Sequence, residues 1–382
     1  MEAVKKYVGA LAIYCGTIIG VGFFGLPYVV SKVGFIPTFF YFAVLGFVTI
    51  LTALVYAELS YRTKGLHRLP GYAKIYLGSR AKIIATISGI FGSTGSLLAY
   101  MLIGGGFLAE LLKPVFGGSD YVYIFIYFLA GSVIIFASNK TLALTELIML
   151  AIFFVTCGIL FFNALPHIQV KNFFTSDYSY FFLPYGVILF SLSGGSIIPE
   201  IKDFLGDKYK HLLKSVLIQG VNISIITYII FIIAVLGVTG GQTSQDALSG
   251  LKNFLPAAIF PIFFIFGILT TFTSYISMGL TLKKIFWYDF KISHLISWLL
   301  VCLIPLLSYL SGLNNFIIII SLIGAITLGI DTIMLFLIYK KAKLKETGKI
   351  PFKLNLSDKL SFIIILMFFL GIILEILTIN KH

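Results

Sequence analysis

The chain has 382 residues, 59% of them hydrophobic and only 11% charged, with a mean hydropathy of +1.03. No soluble fold needs that much apolar side chain, so the composition implies a polytopic membrane protein. The formal net charge of +13 would suit a nucleic-acid partner, but no polar segment is long enough to form a soluble domain that would bind one.

A hydrocarbon core of about 30 Å needs about 20 helical residues. Eleven apolar segments meet this length, at roughly 7–31, 34–61, 83–112, 121–138, 146–165, 181–201, 215–238, 255–282, 295–311, 316–339 and 360–379. The first begins directly after MEAVKK, is longer than a signal peptide's apolar region and has no small-residue cleavage site after it. It is expected to be an uncleaved span.

That first segment contains GTIIGVGFFGLP, with Gly16, Gly20, Gly22, Gly25 and Pro27 in one short run. Inside a helix each glycine costs roughly 1 kcal/mol and a proline about 3 kcal/mol. One reading is close packing, since Gly16 and Gly20 have the GxxxG spacing. The other is a helix broken at the membrane midplane, whose bare backbone holds a solute or ion. The sixth segment carries a second such run, Ser191-Leu192-Ser193-Gly194-Gly195-Ser196, followed by Pro199-Glu200. Pro27 and Pro199 are 172 positions apart. That offset carries spans one to five onto spans six to ten, and an odd number of spans inverts the second set. Packing explains one interruption readily, and a matched pair in inverted halves poorly. The pair points to a transporter site at the midplane.

The expected architecture is therefore all-α: eleven transmembrane helices in a 5+5 inverted repeat, with helices one and six broken and one helix added at the C-terminus. A single transporter domain covers 1–382, with repeat one at 1–165, the inverted repeat at 166–340, and a Lys-rich loop and last helix at 341–382. With the N-terminus in the cytoplasm, 23 of the 28 Lys and Arg fall on cytoplasmic segments, Lys140 among them. The outer segments hold Lys32, Lys113, Lys171, Lys252 and Lys381. By the positive-inside rule the chain enters from the cytoplasm, ends outside and lies in the cell membrane, and its net charge is topogenic. The Lys-rich loop at 340–359 reads as a solvated connector near anionic lipid.

Cys15, Cys157 and Cys302 lie in apolar segments, without disulfide or metal spacing. Of the five histidines, His67, His211, His294 and His382 fall in loops or at the tail, and none cluster. Among the acids, Asp331 is deepest in its span and reads either as a proton carrier or as a helix contact made when protonated. Glu200 ends the second break and is expected to pair with exposed backbone of helix one. Glu58, Glu110, Glu146 and Glu375 lie near span ends and are expected at the interface.

Three stretches carry a family resemblance. GTIIGVGFFGLPYVVSKVG (16–34), LLAYMLIGGG (97–106) and LFSLSGGSIIPEI (189–201) resemble helices one, three and six of the amino acid/auxin permease and aromatic amino acid permease branch of the amino acid–polyamine–cation superfamily. That branch has the leucine-transporter fold, and the likeness spans about residues 5–340.

The resemblance implies a secondary amino acid transporter working by alternating access. An amino acid brings a carboxylate and an ammonium, and half-helix ends suit both. The amides of Gly20, Val21 and Gly22 would face the carboxylate. Carbonyls beside Thr17–Ile18 and Phe190–Ser193 would face the ammonium. Phe190 would close over the solute from outside, or is one core phenylalanine among 38. The Tyr100 hydroxyl would cap the carboxylate, or bonds a neighbour. Gly104, Gly105 and Gly106 would thin helix three beside the solute, or let helices approach.

By the same alignment a sodium site would comprise carbonyls of Gly16 and Ile19 with Thr270, Thr273 and Ser274. The bland alternative is that these hydroxyls bond back to their own helix. Proton-coupled relatives place a Lys on helix five, and span 146–165 has none. Phe23 stands where a second sodium would need an Asn, so one Na⁺ is expected, with H⁺ coupling as the alternative. No cofactor is implied, and the partners are an amino acid and the bilayer. A nucleobase as cargo would want side-chain hydrogen bonds, which Ser191, Ser193 and Ser196 leave open. A polyamine would want an acid in the breaks, and none is there. A membrane-embedded enzyme would need clustered acids, His or Ser–His pairs at the midplane. A channel would need a continuous polar stripe. The sequence has none of these.

Overall fold

The computed structural model describes all residues except 66, 138–142, 175–176, 345–349 and 379–382. Lys140, Lys381, His382 and part of the Lys-rich loop therefore lie outside the described residues, as does the side chain of Glu146. The described chain is helical, without strands.

The first span is two helices, α1 (Glu2–Ile18) and α2 (Gly22–Val33), bent by 57° at their junction. Gly34, at φ 97°, ends α2 in a conformation a side chain rarely adopts, and the chain turns at once into α3 (Phe35–Arg62). The polar stretch after α3 holds a short helix, α4 (Leu69–Leu77), ahead of α5 (Ser79–Phe116). At 38 residues, α5 is about 57 Å long and overshoots a bilayer core. Next come α6 (Asp120–Ala137) and α7 (Ala143–Ala164).

The sixth expected span is also two helices, α8 (Leu183–Ser191) and α9 (Ile198–Tyr209). Prolines at their first turns, Pro184 and Pro199, fill positions whose N–H would have no helical partner. Then follow α10 (Leu213–Thr239), α11 (Phe260–Lys284) and α12 (His294–Leu310). A π-turn at Ile323–Thr327 separates α13 (Phe316–Leu322) from α14 (Leu328–Ala342), and α15 (Asp358–Thr378) is last. Among the described residues, eight helical stretches are long and apolar enough to cross a membrane, nine with the bent α1–α2 pair.

The helices pack in two groups of spans. In one, α1 packs on α9 and α10, α2 on α8 and α10, and α3 on α8, α9 and α10. In the other, α5, α6, α11 and α12 pack on one another. Helix α7 touches α1, α10 and α11, while α13 and α14 touch α5 and the first group.

Two acids expected at interfaces are buried instead. Glu58 is fully buried, because it holds together three groups, from its own helix, from α14 and from the α14–α15 connection. Arg62 meets it at 2.7 Å, the Tyr339 hydroxyl donates to it at 2.9 Å, and the Leu354 amide donates at 2.7 Å. Glu375 is 1% exposed, because α15 packs this face on α8, α13 and the π-turn. Glu110 does lie at a helix end, where it pairs with Lys252 of the loop before α11.

The tightest crossing joins α8 to the π-turn. A Cβ on Gly324 would stand 1.8 Å from the Gly186 carbonyl oxygen. One on Gly186 would stand 2.2 Å from that of Ser321. Backbone cannot yield as a side-chain tip does, so Gly324→Ala should destabilise the protein by about 1–3 kcal/mol. A melt in detergent should show a lowered Tm, whereas Gly106→Ala, which meets nothing within 4 Å, should leave it unchanged.

Candidate functional site

The first break is an inverse γ-turn. Ile19 has φ −78° and ψ 86°, and the Gly20 amide donates back to the Ile18 carbonyl at 2.9 Å. Phe23 and Phe24 then donate to the carbonyls of Gly20 and Val21 at 3.2 and 3.1 Å, which winds up α2. Of the three amides expected to face a carboxylate, Gly20 is thus engaged within the turn. Val21 and Gly22 take no part in these turns.

The second break begins where Leu192 (φ −91°, ψ 3°) leaves α8. The Ser193 amide closes a turn on the Phe190 carbonyl at 3.2 Å, and a short 3₁₀ turn, Gly195–Ile197, leads into α9. The Ser191 hydroxyl donates to the Val187 carbonyl at 2.8 Å, and that of Thr17 to Ile13 at 2.9 Å, both within their own helices.

The two breaks touch. A Cβ on Gly22 would stand 2.6 Å from Ser191 Oγ and 2.8 Å from the Phe190 ring. Gly22 is therefore required by helix-to-helix contact. Gly194 faces Ile18 and Tyr14 in the same way. A Cβ on Gly20 would meet the Tyr100 hydroxyl at 3.3 Å, so Tyr100 of α5 reaches the first break. In the triple glycine, Gly104 packs on Tyr127 and Thr271, and Gly105 on the Ile124 backbone of α6. These two let helices approach.

Gly16, Ile19, Thr270, Thr273 and Ser274 line one cavity of about 20 Å³, with Leu150 and Phe153 of α7. A single water needs about 10–15 Å³ on this measure. Thr273 Oγ1 donates to the Thr270 carbonyl at 3.0 Å, and the buried Thr270 hydroxyl has no partner. The five residues join from three places in the chain: the last turn of α1, the break after it, and the middle of α11.

Exposure around the breaks is lopsided. Val21, Phe23, Phe24 and Phe190 are buried, as is Phe107 on α5. Thr17, Ser193 and Gly195 are half-buried, and Ser196 is exposed, so it stands apart from the buried part of the site. The site is sealed on the α2–α8 side and more open on the α1–α9 side.

Glu200 pairs with Arg68, which precedes α4, at 2.8 Å. The expected contact with backbone of helix one gives way to this ion pair, because the α3–α4 connection brings a guanidinium to α9. Asp331 accepts a hydrogen bond from Ser88 of α5 at 2.8 Å.

Sequence reasoning missed Tyr228 of α10. Its hydroxyl lies 2.9 Å from the Ile18 carbonyl and 2.7 Å from that of Ser191, one on each break. A tyrosine in an apolar span, one of 21 in the chain, gave no signal of this role. Phe23 stacks on Phe231 with ring centroids 3.7 Å apart, and meets Phe153 edge-on at 5.0 Å.

Comparison with known families decides the identity. Residues 3–377 match the model of the tryptophan/tyrosine permease family. The chain belongs to that family. That family places it on the aromatic amino acid permease branch. Tyrosine-specific transport system 1 of Haemophilus influenzae is 28% identical to this permease over 233 residues, 59% of this chain and 56% of that protein. The match thus spans little more than half of that relative. Among solved structures, MhsT in complex with L-phenylalanine superposes with a TM-score of 0.69 at 16% identity, covering 97% of this chain and 98% of that one. The inward-facing conformation of Mhp1 gives a TM-score of 0.69 at 14% identity, covering 98% and 90%. The permease thus shares the leucine-transporter fold.

The glycines of the first break separate two requirements. Gly22→Ala should lower both Tm and transport, since the Cβ would stand only 3.0 Å from the Ser191 Cα. Gly20→Ala meets only a hydroxyl that can shift, so Tm should hold and the KM for transport should rise. A detergent melt paired with uptake in proteoliposomes reads both.

Proposed function

We propose that this permease is a secondary active symporter that carries an aromatic amino acid across the cell membrane by alternating access, with Na⁺ as coupling ion. The observation that carries the reading is that Gly16, Ile19, Thr270, Thr273 and Ser274 line one cavity beside the first break.

The donor set fits a monovalent hard cation. It is made of neutral carbonyl and hydroxyl oxygens, and the Thr270 hydroxyl is buried without a partner. The α7 residues on the cavity are Leu150 and Phe153, so no ammonium stands there in place of an ion. Bound there, a sodium ion would supply positive charge beside the break and tie α1 to α11. Phe23, stacked among aromatic rings, offers no ligand for a second ion.

The solute would lie where the breaks meet, between the Val21 and Gly22 amides and the Tyr100 hydroxyl on one side and the second break on the other. The Ser191 hydroxyl is already bonded within its own helix, which favours an amino acid over a nucleobase that needs side-chain readout. An aromatic side chain is supported by the family and by the relative named for tyrosine.

Alternating access is supported by the two packing groups, linked mainly through α7 and α13–α14. Eleven spans follow when the 60-residue stretch Leu183–Gln242, too long for one crossing, is counted as two and α12 is added. The inverted repeat is supported by its partners. The 172-residue offset turns the contact of α1 with α10 into that of α8 with α3. It turns α2 on α8 into α9 on α1, and α6 on α11 into α12 on α5. The placement of Lys and Arg puts the N-terminus in the cytoplasm, which makes the sealed side the outer one.

Purified permease in proteoliposomes should take up labelled tyrosine, tryptophan or phenylalanine, faster under an inward Na⁺ gradient than under K⁺. Thr273→Ala should raise the half-saturating Na⁺ concentration roughly tenfold, the effect of about 1.4 kcal/mol. No uptake of any of the three under either gradient would refute the cargo, and unchanged Na⁺ dependence in Thr273→Ala would refute the ion.

A further inference from the structure

Tyr228 sits in the middle of α10 and is fully buried. Its hydroxyl lies within hydrogen-bond distance of two carbonyl oxygens, at 2.9 Å from Ile18 and 2.7 Å from Ser191. Those residues are the last of α1 and the last of α8, so each carbonyl stands at the lip of one break. A phenol has one proton to donate, and two carbonyls compete for it.

The competition is unequal. The Ile18 carbonyl also accepts from the Gly20 amide at 2.9 Å. Ser191 ends its helix, and its carbonyl belongs to the set that helix geometry leaves without a donor. The proton is therefore shared unevenly: it lies nearer the Ser191 carbonyl and still reaches the Ile18 carbonyl, which also keeps its γ-turn partner. The ring has little freedom to leave. Phe23 lies 5.9 Å from it by ring centroids and Phe42 lies 6.5 Å away.

We propose that Tyr228 is the positioning residue of the solute site: one buried phenolic proton fastens the two breaks together and fixes the spacing of the groups that receive the solute's amino and carboxylate ends. This rests on the reading of the breaks as the solute site. The hydroxyl does for the two half-helix ends what a shared cation would do, without charge. It also couples them mechanically, so that neither break can open without disturbing the other.

Tyr228→Phe keeps the ring and removes only the proton donor. Hydrogen exchange of the purified permease in detergent should then show faster exchange in both break segments, 18–24 and 190–198, by at least fivefold. The helices of the other packing group should be unaffected. Uptake of labelled tyrosine should show KM raised roughly tenfold with kcat within about twofold, since a positioning role acts on binding. Unchanged exchange in either segment would overturn the proposal, as would an unchanged KM beside loosened breaks. A merely structural role predicts lower Tm and lower kcat at unchanged KM, which would also overturn it. Failure of the underlying reading is distinguishable. In that case the parent permease takes up no aromatic amino acid, while Tyr228→Phe still loosens both breaks.

Discussion

Backbone amides and carbonyls cannot be left bare in a lipid interior, where each unsatisfied group costs several kcal/mol. A span that is broken at its midpoint exposes such groups by construction, and this chain has two. They are brought against each other, so that one interior holds both sets of exposed groups. Much else follows from that contact. Gly22 has no side chain because Phe190 and Ser191 occupy its place, and Gly194 none because Ile18 and Tyr14 do. The Tyr228 hydroxyl answers one carbonyl from each break. The Gly20 amide folds back on the same Ile18 carbonyl, which thus accepts twice. Among the described residues the buried Thr270 hydroxyl has no partner, and the Val21 and Gly22 amides take no part in the turns of the first break.

The breaks were legible in the sequence because glycine and proline have strong and local effects on a helix. Their matched spacing is the ground for the inverted repeat proposed above, and motif likeness named the five residues that share the small cavity. Ser196 was a poorer choice, being exposed on the turn that enters α9. The glycines were assigned to the right places for a partly different reason, since helix contact explains Gly22, Gly104 and Gly105 directly. Long-range polar partners could not be read. Tyr228 meets residues 37 and 210 positions away. Glu58 meets groups on a connector nearly 300 positions on. Nothing local distinguishes either from an ordinary residue near a helix end or in a membrane span.

The two packing groups differ in how their interiors are held. The group with the breaks is tied by separable polar contacts near the N-terminal end. Lys6 donates to the Phe204 carbonyl at 2.6 Å, Lys208 meets Glu2 at 2.9 Å, and Lys202 donates to the Ser60 carbonyl at 2.5 Å. All three bring α9 to α1 or α3, within the same group. The other group is held by side chains that cross between helices, as where half-buried Trp298 donates to the Ser132 carbonyl at 2.9 Å and buried Lys283 to the Ile135 carbonyl. The Lys208–Glu2 pair is exposed and therefore weak, so that tie can rearrange at small expense. The backbone crossing of Gly186 and Gly324 is different. It has no flexible side chain to yield, so α8 and the π-turn are expected to move as one piece.

No charged side chain lies in either break, and that absence has a physical consequence. A fixed carboxylate or ammonium would need its own partner in every conformation, including the one that has released its solute. Here the fixed groups are dipoles, which carry partial charge and tolerate emptiness better. The charges would arrive with the cargo, as the two ends of a zwitterion, and with the ion. Such a site is neutral when empty and gains positive charge from the ion alone when full. On the proposed reading the loaded and empty forms would differ by one mobile charge, which is the difference a cation gradient can act upon. Phe23, packed among aromatic rings, offers no oxygen for a second cation, and on the proposed reading the Tyr228 proton would supply the tie that such a cation would provide. On that reading, coupling to a single ion would follow from how the two breaks are fastened.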